Sequence, residues 1–251
     1  MRRMLLTFEY DGTAYAGWQR QLNAVTVQQR VEEAVFALTG ETHGIVGASR
    51  TDAGVHARGQ AAHFDTDSAI PAERFFLALN TRLPPDIRAV ASREVPHSFH
   101  ARYQAVGKEY RYAIHNAPWP SALRRNLCVH VPAPLDAQRM HEAAQALLGT
   151  HDFTALCAAG SVVRDKVRTI SAVSVARQEY LITLSIAGNG FLYNMVRIVA
   201  GTLIDIGRNK LSPDALAQAV ARRDRLLAGP TAPAHGLCLW RVAYRGDEPT
   251  A

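Results

Sequence analysis

A period of two governs much of this chain and most limits what it can fold into. Leu6, Phe8 and Tyr10 alternate with Leu5, Thr7 and Glu9, and Tyr110, Tyr112 and Ile114 alternate with charged neighbours in 107–115. Such alternation places successive side chains on opposite faces of an extended strand. Further strand-like runs occupy 60–67, 86–95, 167–177, 180–188 and 237–245. Between them stand single helical patterns. Thr26 and Gln29 form a capping box ahead of 27–40, where Val27, Val31, Ala34, Val35 and Leu38 share a face and Gly40 is placed to stop the helix. Other helices are expected over 71–80 (Pro71 in its first turn), 137–149, 191–207 and just after Ser212-Pro213. Strands joined by turns and separated by single helices predict an α+β protein with largely antiparallel pairing.

Near residue 106 the order of elements starts over. The expected organisation is therefore an N-terminal half, 1–106, and a C-terminal half, 107–251, similarly built α/β halves sharing a mixed, largely antiparallel sheet with flanking helices. No low-complexity linker separates them. At 251 residues the chain is long enough for one large or two modest domains. With 48% hydrophobic and 20% charged residues, wholesale disorder is excluded.

A net charge of +6 and a pI near 9.5 favour an anionic partner, nucleic acid first. Cys128, Cys157 and Cys238 are odd in number and far apart, which argues against a disulfide framework or a zinc site and fits a reducing compartment. The apolar run after Arg2-Arg3 is broken by Glu9 and Asp11, so it reads as a strand rather than a signal peptide. No run approaches the length of a membrane span. A cytoplasmic protein with no membrane association is expected.

Four segments carry candidate chemistry. In Gly47–Gln60, GASRTDAGVHARGQ, a single acid, Asp52, stands among Arg50, His56 and Arg58, with glycines that permit close backbone approach. Asp52 is either a turn residue bonding nearby N–H groups or a carboxylate kept ionised for nucleophilic or general-base work. In Gly188–Arg197, GNGFLYNMVR, Arg197 is a lone cation in an apolar helix and needs an anionic partner if buried, for which Asp52 is a candidate. In Phe99–Tyr112, Arg102, Lys108 and Arg111 interleave with Tyr103, Tyr110 and Tyr112, either as an ordinary amphipathic strand or as a surface that stacks bases and holds phosphates. His97 and His100 lack further ligands at metal-binding spacing. In Tyr10–Gln21, YDGTAYAGWQRQ, glycines turn an aromatic and basic loop, but no phosphate-binding glycine motif is present.

Together these segments resemble the tRNA pseudouridine synthase A family. Arg50–Ala57, RTDAGVHA, is similar to its signature around the catalytic aspartate, and the other three segments follow in the family's order, with GTHDFTAL, VRTI and AGPTAPAHGLCLWRVAY. The resemblance implies the pseudouridine synthase fold and Asp52 as the essential carboxylate. It further implies that Tyr110 stacks on the target uracil, Arg197 pairs with Asp52 and Arg50 fills the space left by a flipped nucleotide. The implied substrate is the anticodon stem-loop of tRNA at positions 38, 39 and 40, bound by a homodimer that needs no cofactor and no metal. Arg20, Arg58, Arg102, Lys166 and Arg168 are candidate phosphate contacts, as are Arg124, Arg125 and Arg164. Two departures stand out: Ser49 replaces the usual Gly before the signature Arg, and Leu156-Cys157 stand where the family tends to show Phe-Arg.

Uridine isomerisation needs a carboxylate, a dry pocket and a base taken out of its stack. Addition of Asp52 to C6 of uracil, attack at C1′ and glycal formation all remain open, as does the base that removes the C5 proton, for which Tyr110 is a candidate. The rival readings are a tRNA-binding module without catalysis and a nucleosidase or glycoside hydrolase acting at C1′, which normally uses paired carboxylates.

Overall fold

Apolar residues alternate along the first strand and then run together at Met4, Leu5 and Leu6, which are all buried. In the computed structural model, which describes residues 1–246, β1 (Arg2–Tyr10) has a neighbour on each side. After β1 come α1 (Val27–Thr39), β2 (Val46–Gly47), β3 (His56–Thr66), α2 (Phe75–Asn80) and β4 (Ile87–Val95). β1 pairs antiparallel with β3, Leu6 opposite Ala62, and with β4, Leu6 opposite Ser92, while β2 adds to the upper part of β3. Thr26 caps α1 as expected, its hydroxyl accepting from Gln29 N–H at 3.3 Å, and Gly40 ends the helix in the left-handed region at φ 75. The Gln29 side-chain NH2 donates one turn on, to Glu33 at 2.9 Å. Phe8, Trp18, Phe64, Phe75, Leu79 and Ile87 are buried in this unit.

The second compact unit spans Gly107–Cys238. It contains most of β5 (Ala105–His115), then β6 (Val129–His130), α3 (Ala137–Ala144), β7 (Gly149–Asp152), β8 (Val167–Gln178), β9 (Leu181–Gly188), α4 (Met195–Gly207) and α5 (Ala215–Arg222). The strand order β5-β9-β8-β7 is antiparallel throughout, with Tyr110 opposite Ile186, and β6 pairs parallel with β5. α3 packs on β8 and on α4. Ile182, Leu184, Met140, Leu147, Phe153, Ile198 and Leu203 form the core.

The chain then returns to the first unit as β10 (Leu237–Tyr244), which lies beside β3. Among the described residues, those from Leu239 onward, expected in the C-terminal half, group with Met1–Val106. The local cause is visible at Gly59, where a Cβ would lie 2.6 Å from the Trp240 carbonyl oxygen, so only glycine admits this neighbour. Tyr244 then donates to the Ala101 carbonyl at 2.8 Å and its ring contacts Phe99. The fold class is α+β, with antiparallel pairing dominant within each unit.

Three helix boundaries differ from expectation. The pattern over 71–80 becomes α-helical only at Phe75, after a 3-10 turn, Ala72–Arg74. The pattern over 191–207 becomes helical only at Met195, because Asn194 adopts φ 58. The pattern over 137–149 stops being α-helical at Ala144 and passes through a 3-10 turn, Gln145–Leu147, before Gly149 opens β7 at φ 95.

Candidate active site

Asp52 lies on the loop between β2 and β3, and the backbone on both sides of it is fixed by buried groups. Ala48 N–H still pairs with Ala61 O at 2.8 Å. One residue later the strand partner is a side chain: the fully buried Gln60 amide accepts from Ser49 N–H at 3.2 Å and donates to Ser49 O at 2.6 Å. Ser49 is absent from the residues with positive φ, so its departure from glycine costs no backbone strain. Thr51 is buried, and its hydroxyl bonds Tyr10 OH at 2.8 Å. Val55 N–H donates to Asp52 O at 3.1 Å and closes the turn, with Gly54 at φ 77.

The Tyr10–Gln21 segment supplies the rest of this cradle. Trp18 N–H donates to Thr51 O at 3.1 Å, Gly54 N–H to Tyr15 O at 3.2 Å, and Gly12 N–H to Nδ1 of the buried His56 at 3.0 Å. A Cβ on Gly12 would strike the Val55 carbonyl, and one on Gly17 the Thr51 carbonyl. Backbone therefore lies on backbone either side of Asp52, an approach only glycine permits. Gly47 makes room for the Trp18 indole in the same way. Asp52 itself is half-buried on this support.

The cations near Asp52 in sequence have separate surroundings. His56 holds Gly12 and lies 3.1 Å from Asp11. Arg58 is exposed, with its guanidinium 4.3 Å from the Trp240 ring centroid. Arg50 is exposed.

In the second unit the buried Tyr110 meets the Phe191 ring edge-on at 5.0 Å and 78°. The Gly188–Gly190 turn is clamped to β8, since Asn189 N–H donates to Thr169 O and Thr169 N–H to Asn189 Oδ1, both at 3.0 Å. Arg168 lies over Gly190, where a Cβ would be 3.4 Å from its Nε. Arg197 is half-buried in the first turn of α4. Its Nε donates to Ala232 O at 2.8 Å and its Nη1 to Asn194 Oδ1 at 2.7 Å, while its carbonyl accepts from Ala232 N–H at 3.0 Å. The segment bearing Ala232 is strapped to α4 by Gly229 N–H donating to the buried Thr202 hydroxyl at 2.9 Å, and by Gly201, whose missing Cβ leaves room for the Pro230 carbonyl. Burial pushes the Tyr112 phenol up, Arg197 acting the other way, and its hydroxyl donates to Pro233 O at 2.9 Å.

Among the expected phosphate contacts, Arg20 is paired with Glu32 at 2.6 Å and Lys166 is half-buried. Arg102 is exposed beside the Tyr103 ring, and Arg168 bonds the Asp165 and Val167 carbonyls. Leu156 and Cys157 are buried, so these two departures serve the core of their turn. Among the described residues no group of three or more His, Cys, Asp or Glu is placed to hold a metal ion. None of their helices is long and apolar enough to cross a membrane. Gln60 and Asn194 had no sequence signal of their own, although each stood inside a recognised segment.

Comparison with known proteins places this arrangement in a class. A family model described as tRNA pseudouridine synthase matches residues 6–104 and 143–245. The tRNA pseudouridine synthase A of Acetivibrio thermocellus is 52% identical over 244 residues, covering 97% of this chain and 100% of the relative. That of Ruminiclostridium cellulolyticum is 51% identical with the same coverage, and that of Shouchella clausii is 50% identical over 97% of this chain and 94% of its own. The chain belongs to the tRNA pseudouridine synthase family, a family of isomerases. A solved Cbf5-Nop10-Gar1 complex aligns at 11% identity and a TM-score of 0.35, covering 98% of this chain and 60% of that one, a likeness too low to argue from.

Proposed function

We propose that this protein converts uridine to pseudouridine in the anticodon stem-loop of tRNA, at positions 38, 39 and 40, with Asp52 as the essential carboxylate. The observation that carries the reading is the cradle beneath Asp52: glycines and buried hydrogen bonds hold the backbone of one acid at a fixed place. Such rigidity is what a carboxylate needs to meet a reacting atom reproducibly. In the reaction the N1–C1′ bond breaks, C5 bonds to C1′, C5 loses its proton and N1 regains one. Nothing is oxidised or reduced, and no group is lost.

In this reading the target nucleotide leaves its stack, at a cost of a few kcal/mol repaid by contacts in the pocket. Tyr110 stacks on the uracil, its ring plane fixed by Phe191. Arg197 supplies the positive charge that keeps Asp52 ionised, and Arg50 occupies the place of the displaced base. Arg58, Arg20, Arg102, Lys166 and Arg168 contribute phosphate contacts, and Arg20 exchanges its Glu32 partner to do so. The working form is a cytoplasmic homodimer.

Asp52→Asn tests the assignment. The variant binds tRNA with nearly wild-type affinity and releases no tritium from 5-tritiated uridine in that tRNA. Retained turnover would sink the assignment. Release of free uracil by the wild-type protein would mark a nucleosidase, and absence of turnover in both proteins a binding module.

A further inference from the structure

Asn194 stands where helices commonly recruit asparagine for its capping oxygen, immediately before the first residue of α4. It does not cap. Its backbone is left-handed, φ 58 and ψ 8, rather than extended, and no capping bond forms. Its oxygen instead accepts from Arg197 Nη1 at 2.7 Å. A position that needed only a left-handed backbone would be filled most cheaply by glycine. A position that needed a cap would take the extended conformation. Asparagine tolerates the left-handed region better than most residues and adds a neutral acceptor three residues ahead of Arg197.

We infer that Asn194 is a positioning residue for Arg197, orienting the guanidinium without neutralising it. The inference rests on the role proposed above for Arg197. A guanidinium is planar, so two acceptors on different nitrogens define both its plane and its rotation. Here those acceptors are Asn194 Oδ1 on Nη1 and Ala232 O on Nε, and neither carries a charge. An aspartate at 194 would reach the same nitrogen but compete for the positive charge that the proposed mechanism assigns to the catalytic acid. Met195 and Ile198 N–H groups bond Leu192 O and Asn194 O, so the start of the helix is held by backbone and not by the carboxamide.

The test compares Asn194→Gly, Asn194→Asp and Arg197→Met by single-turnover tritium release, tRNA affinity and thermal melting. Asn194→Gly keeps the backbone conformation, so melting and affinity stay near wild type while turnover falls about tenfold or more, as misorientation of a reacting group requires. Asn194→Asp is also slow, because its charge offsets that of Arg197. In an Arg197→Lys background, which lacks the planar fork, Asn194→Gly brings no further loss. Wild-type turnover in Asn194→Gly alongside an inactive Arg197→Met would overturn this inference alone. So would a joint fall in turnover, affinity and melting temperature, which marks a purely structural residue. An active Arg197→Met would overturn the role of Arg197 and this inference with it.

Discussion

His63 shows how a single residue ties segments of the first unit together. It lies on β3, buried, and its Nδ1 accepts from Ala101 N–H at 3.2 Å, while its ring meets that of His100. Burial, followed by the charges of Arg3 and His100, lowers its pKa to about 4, with Asp65 acting weakly the other way. In the unfolded chain the same imidazole titrates near pH 6.5. Between these values the unfolded chain binds more protons, so stability present above about pH 6.5 drains away as pH falls toward 4. Melting temperatures across that window should drop less steeply in His63→Asn, whose side-chain oxygen can accept from Ala101 in place of the ring. Parallel curves for the two proteins would contradict this account. At the same scale, Asp52 and Arg197 stood out in the sequence because each is an odd residue in its local pattern, whereas Tyr110 fits the alternation of its strand and was singled out by the family resemblance alone. Gln60 did not, because a glutamine whose amide pairs with a backbone looks like any polar residue in a strand until its burial is known. Ser49 stands where the family usually has glycine and yet carries no backbone strain, a matter of φ that only coordinates decide.

Among the elements, strands were the most legible. The predicted runs over 86–95, 167–177, 180–188 and 237–245 lie within a residue of the observed strands, since alternating burial leaves its period in the sequence. Helix ends were less so. Asn194 looked like part of an apolar helix because its neighbours are apolar, and the left-handed kink that delays α4 is local backbone chemistry, invisible to periodicity. β2, β6 and β7 are too short to show a period at all. The packing of α4 also escaped the sequence: Gly201 reads as a poor helix residue, yet it is where the Pro230 carbonyl rests. Gly201→Ala should therefore destabilise the protein by about 1–3 kcal/mol through overpacking, despite alanine's better helix propensity. Turnover should fall further than stability explains, since the displaced segment includes Ala232, which holds Arg197. Denaturant unfolding and tritium release on the same variant check both parts, and a stabilised variant would refute the packing argument.

For the whole molecule, the route of the chain matters more than any one contact. The second unit, Gly107–Cys238, is inserted within the first, which resumes at Leu239. Synthesis on the ribosome is vectorial, so β3 emerges first and must wait for β10, the whole second unit later. At ordinary translation speeds the wait is on the order of ten seconds. Throughout it, one flank of β3 lacks the strand that will finish it, a hazard for wrong pairing between nascent chains. A chain ending at Gly236 should consequently aggregate on refolding while the full-length protein stays clear by light scattering, and a monodisperse truncated chain would disprove the argument. The loop that bears Asp52 leads directly into β3. Its scaffold is thus made well before the strand that completes it, which couples the birth of the candidate site to the arrival of β10.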